Sequence, residues 1–217
     1  MAFLRFFQDI YSSSQTLHQR EQYAKNKLGK IYWNYRDRII LSNISKKANA
    51  ILDIGCGEGI TLEKLCRFYP NKDIRGIEID RERVAICKRH GLMVIEGNLL
   101  ELNTPSETID CCILSEVIEH FQYQDAIFIF KEMYRILRKG GRLIVVFPND
   151  FIFKVGRIAT FMFKEAFYNT GHLWQWTPCS MKSKLKNLGF GIIKIRSIPF
   201  LAWPVSLHCI IVANKPE

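Results

Sequence analysis

Residues 50–65 read A-I-L-D-I-G-C-G-E-G-I-T-L-E-K-L, and a change of pattern inside them decides the fold. Ala50, Ile51 and Leu52 form a short apolar run that ends in Asp53 and a loop with glycines at 55, 57 and 59. From Ile60 the apolar residues Ile60, Leu62, Leu65 and Cys66 recur among polar Thr61, Glu63 and Lys64, as on one face of a helix. A short period giving way to one near 3.6 across a glycine loop predicts strand, turn and helix. Glycine suits a backbone that takes positive φ or that lies bare against a ligand, and the following helix aims its first N–H groups at that loop.

The spacing separates this loop from other nucleotide loops. A dinucleotide loop runs G-x-G-x-x-G and cradles pyrophosphate, whereas here the order is D-x-G-x-G-x-G. Lys64 lies too far downstream to serve a phosphate loop. An acid beside the glycines repels phosphate and suits a cationic ligand.

Further along, the pattern repeats the strand-then-helix unit. Asp73–Ile79 predicts a second strand, followed by Asp80 and a basic helix from Arg81 to about His90. Glu78, nineteen residues after Gly59, stands where a strand-end acid accepts from both ribose hydroxyls. Asp80 is the alternative, or else the cap of the next helix. Leu92–Glu96 and Ile109–Leu114 predict strands three and four. A helix follows through Ala126, Ile127, Phe130, Met133, Tyr134 and Leu137, with Gly140-Gly141 as its stop before a fifth strand, R-L-I-V-V-F. Thr177-Pro178 reads as a helix start and Gly189 as its end. Phe190–Ser197 and Ser206–Ala213 predict two last strands.

The 217 residues carry 48% apolar and 24% charged residues, ordinary for one globular domain. The formal charge of +10 admits an anionic partner, whether lipid surface, RNA or acidic substrate. Seven cysteines make no C-x-x-C or zinc spacing, which predicts reduced thiols and a cytoplasmic protein. Met1–Phe7 is apolar, but Arg5, Gln8 and Asp9 break the pattern expected of a secretory signal. No apolar run reaches the ~20 residues of a membrane span.

The run D-I-G-C-G-E-G resembles the first motif of class I S-adenosylmethionine-dependent methyltransferases, and E-M-Y-R-I-L-R-K-G-G-R-L-I-V-V-F resembles their last core motif. The resemblance covers roughly residues 50–213. It implies a doubly wound, Rossmann-like α/β fold of seven strands with the last antiparallel and helices on both faces. The expected parts are a helical cap (1–48), a cofactor-binding core (49–149), a lid insertion (150–177), and a C-terminal helix with an antiparallel strand pair (178–217). S-adenosyl-L-methionine is the implied cofactor. Asp53, Gly55, Cys56, Gly57, Gly59, Glu78, Ile79, Asn98, Leu99 and Ser115 are its implied contacts. Asn98 replaces the family's aspartate at the adenine amino group, and its amide oxygen can still accept that bond. Y-W-N-Y-R-D-R-I-I is similar to the stretch that caps the methionine end, so Arg36 either meets the cofactor carboxylate or is a solvated surface arginine.

Residues 115–120, S-E-V-I-E-H, should face the reacting methyl group. In a helical turn Glu116, Glu119 and His120 would share one face. Three readings stay open. His120, oriented by Glu119, is a general base for a hydroxyl. Alternatively the trio holds a divalent cation with His172, since E-V-I-E-H with a later H-x-x-x-W-T is similar to metal-dependent 2′-O-methyltransferases of small RNAs. In the third reading the acids cap a helix and His120 packs. Ubiquinone-pathway O-methyltransferases share a similar E-x-x-E-H. His208 reads as a packing residue.

The expected activity is O-methylation of a small apolar or lipid-like acceptor. RNA 2′-O-methylation is the alternative, and a non-catalytic cofactor-binding module is a third. Phe151–Tyr168 sorts on a helical wheel into a polar face with Lys154, Arg157, Thr160, Lys164 and Glu165 and an apolar face that includes Phe153, Val155, Met162 and Phe163. That pattern predicts either a peripheral contact with an anionic membrane or a lid packed on protein.

Overall fold

The computed structural model describes residues 19–25, 27–159, 171–200 and 202–217. Two helices, α1 (Gln19–Lys25) and α2 (Lys27–Ser42), precede the sheet. The rest alternates as β1 (Ala50–Ile54), α3 (Ile60–Phe68), β2 (Asp73–Glu78), α4 (Arg81–Arg89), β3 (Val94–Glu96), β4 (Ile109–Ser115), α5 (Tyr123–Ile136) and β5 (Leu137–Pro148). Helices α6 (Asp150–Ala159) and α7 (Pro178–Asn187) and strands β6 (Gly191–Ile198) and β7 (His208–Asn214) complete it.

The strands form one sheet in the order β3-β2-β1-β4-β5-β7-β6. Neighbours from β3 through β5 pair in parallel, and β7 runs antiparallel to both β5 and β6. The seven-stranded, doubly wound sheet expected from the sequence is therefore present. Its central strands are apolar on both faces because both faces are covered. Period-two alternation sends their side chains to two cores. Leu52, Ile54, Leu143, Val145 and Ile211 join one with Phe130 and Met133 of α5 and Leu185 of α7. Ile51, Ile113, Ile144, Val146 and Ile210 join the other with Ile40 of α2, Leu65 of α3 and Val84 of α4.

Two sequence expectations about helix ends have opposite outcomes. Thr177 caps α7 with a reciprocal Thr177/Ser180 box and Pro178 in the first turn, as read. Gly140-Gly141 does not stop α5. The helix ends at Ile136, and both glycines lie inside β5. The register with β4 jumps there from Ile109↔Leu137 to Cys111↔Arg142. A Cβ on Gly141 would stand 2.7 Å from the Arg138 carbonyl oxygen, so the bulge needs a residue without one.

Strand order reverses between β1 and β4, which pair with each other while β2 and β5 lie on their far sides. A crevice forms at such a switch point beyond the carboxyl ends of the strands. The loops after β1 and β4 both open into it.

Candidate functional site

Residues of the β1, β2, β3 and β4 ends line a cavity of about 640 Å³, a size that holds a small ligand. The loop after β1 turns through Gly55, Gly57 and Gly59, all at positive φ. Gly57, at φ 56°, donates its N–H to Oε2 of Glu78 at 2.8 Å. A Cβ there would lie 2.4 Å from Oε1 of Gln19. Gly55 and Cys56 also line the cavity. Gly59 is not among its lining residues; a Cβ on it would meet Leu92 at 2.5 Å and the Cys87 sulfur at 2.9 Å. Its role is to turn the chain into α3.

Glu78 is buried at the end of β2, where its other oxygen accepts from the N–H groups of Ile79 at 3.0 Å and Asp80 at 3.1 Å. Its carboxylate thus braces the glycine loop and keeps further lone pairs for a ligand. Asp80 caps α4 through the N–H groups of Glu82 and Arg83. Asn98 and Leu99 line the same end, with Ile79 on the rim. The Asn98 amide oxygen accepts from Leu100 N–H at 3.0 Å.

Asp53 is buried, and its Oδ2 has no hydrogen-bond partner among the described residues. Burial, then the charge of Asp37, pushes its carboxyl up to about 8, against the pull of Arg36. A buried carboxyl without a partner favours a proton or a nearby cation.

The loop after β4 does not adopt the helical turn expected for 116–120. Ser115 ends the strand, with Oγ unpartnered among the described residues. Glu116 then takes φ 57°, and only Ile118–His120 form a 3₁₀ turn. Glu116 is therefore turned away from Glu119 and His120. It pairs with the partly buried Arg36, and its Oε1 lies 3.3 Å from Nε2 of His208. Burial raises its pKa, but Arg36 and His208 outweigh that and hold it well below the usual carboxylate range. Arg36 is no solvated arginine: it lines the cavity and also pairs with Asp37 at 2.9 Å. His208 does more than pack. Its Nδ1 is 2.6 Å from the Tyr32 hydroxyl, in a polar chain from Tyr32 through His208 and Glu116 to Arg36. No spacing announces that pairing, because Tyr32 and His208 lie 176 residues apart.

At the opposite end of the cavity from Glu78, His172 comes beside Glu119 and His120. One potential ligand atom from each lies within 4.8 Å of the others. Glu119 is buried with Oε2 unpartnered among the described residues; burial, then the Glu116 charge, raises its pKa well above the usual range. His120 makes a 3.1 Å hydrogen bond between Nδ1 and the Gly171 carbonyl, and burial lowers its pKa. His172 places Nδ1 2.7 Å from Oδ1 of Asp150. Trp176 is buried against Phe130 and Tyr123.

Glu58, inside the glycine motif, was not among the residues singled out from the sequence. Its carboxylate accepts the N–H groups of Gln19 at 2.9 Å and Arg20 at 2.8 Å. Gln19 and Tyr23 of α1 thereby line the cavity over the loop.

The donor set fits S-adenosylmethionine. Three buried oxygens, on Asp53, Ser115 and Glu119, lack partners among the described residues and belong to lining residues. The acids Asp53 and Glu78 stand at the loop, and of the two lining arginines Arg36 is paired with Asp37 and Glu116 and Arg83 lies beside Asp80. That suits a ligand with ammonium, sulfonium and hydroxyl groups and no phosphate. Asp53 would face the cationic end and Glu78 the ribose.

Residues 52–145 match a family described as a methyltransferase domain. A "Probable S-adenosylmethionine-dependent methyltransferase" of Mycolicibacterium smegmatis is 31% identical over 74% of this chain and 60% of its own length. The mitochondrial ubiquinone biosynthesis O-methyltransferase of Rattus norvegicus is 26% identical over 64% of this chain and 49% of its own. The chain thus spans less than two thirds of either relative. A S-adenosylmethionine-dependent methyltransferase structure from Archaeoglobus fulgidus superimposes with a TM-score of 0.69 at 17% identity, covering 97% of this chain and 99% of that one, which supports the fold. With the D-x-G-x-G-x-G loop at the switch point of a seven-stranded sheet, these matches make the central part of the chain similar to class I S-adenosylmethionine-dependent methyltransferases.

Proposed function

We propose that the protein transfers a methyl group from S-adenosylmethionine to a hydroxyl oxygen of a small apolar or lipid-like acceptor. The observation that carries this reading is the Glu119–His120–His172 end of the cavity, which faces the same space as the cofactor acids. The cofactor supplies an electrophilic methyl group on a sulfonium. Much of the catalysis then comes from holding the nucleophile in line, and a hydroxyl must also lose a proton. His120 is suited to accept it. With Nδ1–H donated to the Gly171 carbonyl, Nε2 carries the lone pair, and its lowered pKa keeps the ring neutral at pH 7. The similarity to a ubiquinone-pathway O-methyltransferase supports oxygen as the acceptor atom.

A membrane-side acceptor is supported by α6, which begins at Asp150 beside His172 and exposes Phe151 and Val155. Phe153, expected on the same apolar face, instead packs edge-on against His208 at 5.3 Å. Residues 160–168 of the expected amphipathic helix lie outside the described residues. Among the described residues no helix is long and apolar enough to cross a membrane, so the proposed contact is peripheral. RNA 2′-O-methylation is the second reading, favoured by the charge of +10 and the His-rich end of the cavity.

Incubating the protein with methyl-labelled cofactor and separate lipid and RNA extracts tests the choice. Label is expected in the apolar fraction. Label confined to RNA would establish the second reading, and no label with intact cofactor binding would point to a binding protein.

A further inference from the structure

We propose that Cys56 and Cys87 form a reversible disulfide under peroxide, and that this bond weakens cofactor binding at the glycine loop. The inference uses the assignment of S-adenosylmethionine to that loop and is independent of the methyl acceptor.

The two residues come from different elements, Cys56 from the loop after β1 and Cys87 from the last turn of α4. Their sulfurs converge on one atom. Sγ of Cys87 lies 3.3 Å from the Gly57 carbonyl oxygen, and Sγ of Cys56 lies 3.9 Å from the same oxygen. Both thiols are free. Two glycines make room for them. A Cβ on Gly76 of β2 would stand 2.6 Å from the Cys56 sulfur, and one on Gly59 would stand 2.9 Å from the Cys87 sulfur. Gly76 is not among the glycines at positive φ, so its bareness serves the packing of the Cys56 sulfur rather than a turn.

The surroundings of the two thiols differ. Cys56 is half-buried and lines the cavity, whereas Cys87 is buried. Arg20 reaches the same place. Its Nη1 pairs with Glu63, but its Nη2 is buried without a hydrogen-bond partner among the described residues. That nitrogen and the Cys87 sulfur both approach the open side of Gly59. A guanidinium beside a thiol favours the thiolate. Contact between the two thiols raises the pKa of Cys56 and lowers that of Cys87, and Arg20 adds to the lowering.

The pair therefore divides into a thiol that meets an oxidant in the cavity and a more easily ionised one that resolves the product. Hydrogen peroxide is the oxidant. The Cys56 sulfur bonds to one peroxide oxygen, the O–O bond breaks, and the thiol proton leaves with the other oxygen as water. Cys87 then attacks the resulting sulfenic acid. The S–S bond forms, the S–O bond breaks, and the departing hydroxide leaves with the Cys87 proton as a second water. Two thiols are oxidised by two electrons and the peroxide is reduced by two. Exchange with a small thiol reverses the bond.

A disulfide of about 2.05 Å takes both sulfurs off the Gly57 carbonyl and draws Cys56 toward α4. The loop is held by the N–H groups of Gly55 and Cys56 on the Ile77 carbonyl, at 2.8 and 3.1 Å, and by Gly57 on Glu78. A pull on Cys56 works against these bonds. By linkage, bound cofactor opposes the oxidation.

The test is peptide mapping of full-length protein treated with hydrogen peroxide and then alkylated. A Cys56–Cys87 crosslink is expected, removed by dithiothreitol, absent from Cys87→Ser and retained in Cys66→Ser. By calorimetry the crosslinked protein should bind S-adenosylmethionine at least ~10-fold more weakly, a coupling of ordinary size, and recover on reduction. Saturating cofactor should slow the crosslinking. Oxidation of Cys56 without this crosslink, or a crosslink at another pair, overturns the disulfide. Unchanged affinity after crosslinking, or an equal crosslinking rate with and without cofactor, overturns its effect on binding. The mapping needs no cofactor, so failure of the pair is distinguishable from failure of the cofactor assignment.

Discussion

Cofactor binding should expel a proton from Asp53. The carboxyl is fully enclosed, and its rise from 3.8 to about 8 is worth about 6 kcal/mol, at about 1.4 kcal/mol per pH unit. The folded, ligand-free protein keeps this proton up to about pH 8, while the unfolded chain loses it near pH 4. The folded state therefore binds more protons, and this group's contribution to stability falls as pH rises from about 4 to about 8. A cationic ligand beside Asp53 reverses the preference by stabilising the carboxylate. At pH 6.5 Asp53 is mostly protonated before binding, so close to one proton should be released per cofactor bound. Apparent affinity should rise about tenfold per pH unit between pH 5.5 and 7. Calorimetry in buffers of different ionisation enthalpy counts the proton directly. Asp53→Asn should bind more weakly and lose both the proton release and the pH slope. No release from the wild-type protein, or the same release from Asp53→Asn, would refute the reasoning.

Two further expectations follow from the site and its rim. Glu78→Gln should weaken S-adenosylmethionine by ~1.5–3 kcal/mol, the range for hydrogen bonds to a charged group, while Asp80→Asn should spare affinity because Asp80 caps α4; the reverse result in calorimetry would misplace the ribose acid. Flotation with anionic liposomes should show binding that weakens with salt and drops in Phe151→Ser/Val155→Ser, since both side chains are exposed on α6. No flotation at low salt would remove the membrane contact.

The sequence by itself determined the fold and the placement of the glycine-loop end of the cavity. Strand period, helix period and glycine spacing are local properties, and a parallel α/β sheet with right-handed crossovers leaves few ways to assemble them. Asp53, Gly57 and Glu78 were legible as cavity-lining residues because their placement follows from positions along the chain: a strand end, a loop, the next strand end. The other end of the cavity was legible only as residue types. Glu116, Glu119 and His120 read as one helical face, but the left-handed backbone at Glu116 separates them. What holds Glu116 there is Arg36 from α2 and His208 from β7, residues that spacing cannot bring together. His208 looked apolar in its surroundings, and only the sheet order β5-β7 brings it beside the end of β4 and Tyr32. Gly140-Gly141 is no helix stop, since the bulge within β5, where a Cβ on Gly141 would meet the Arg138 carbonyl, calls for a glycine there. Tertiary structure decided which titratable groups are buried, and burial is what sets the charge of Asp53 and Glu119.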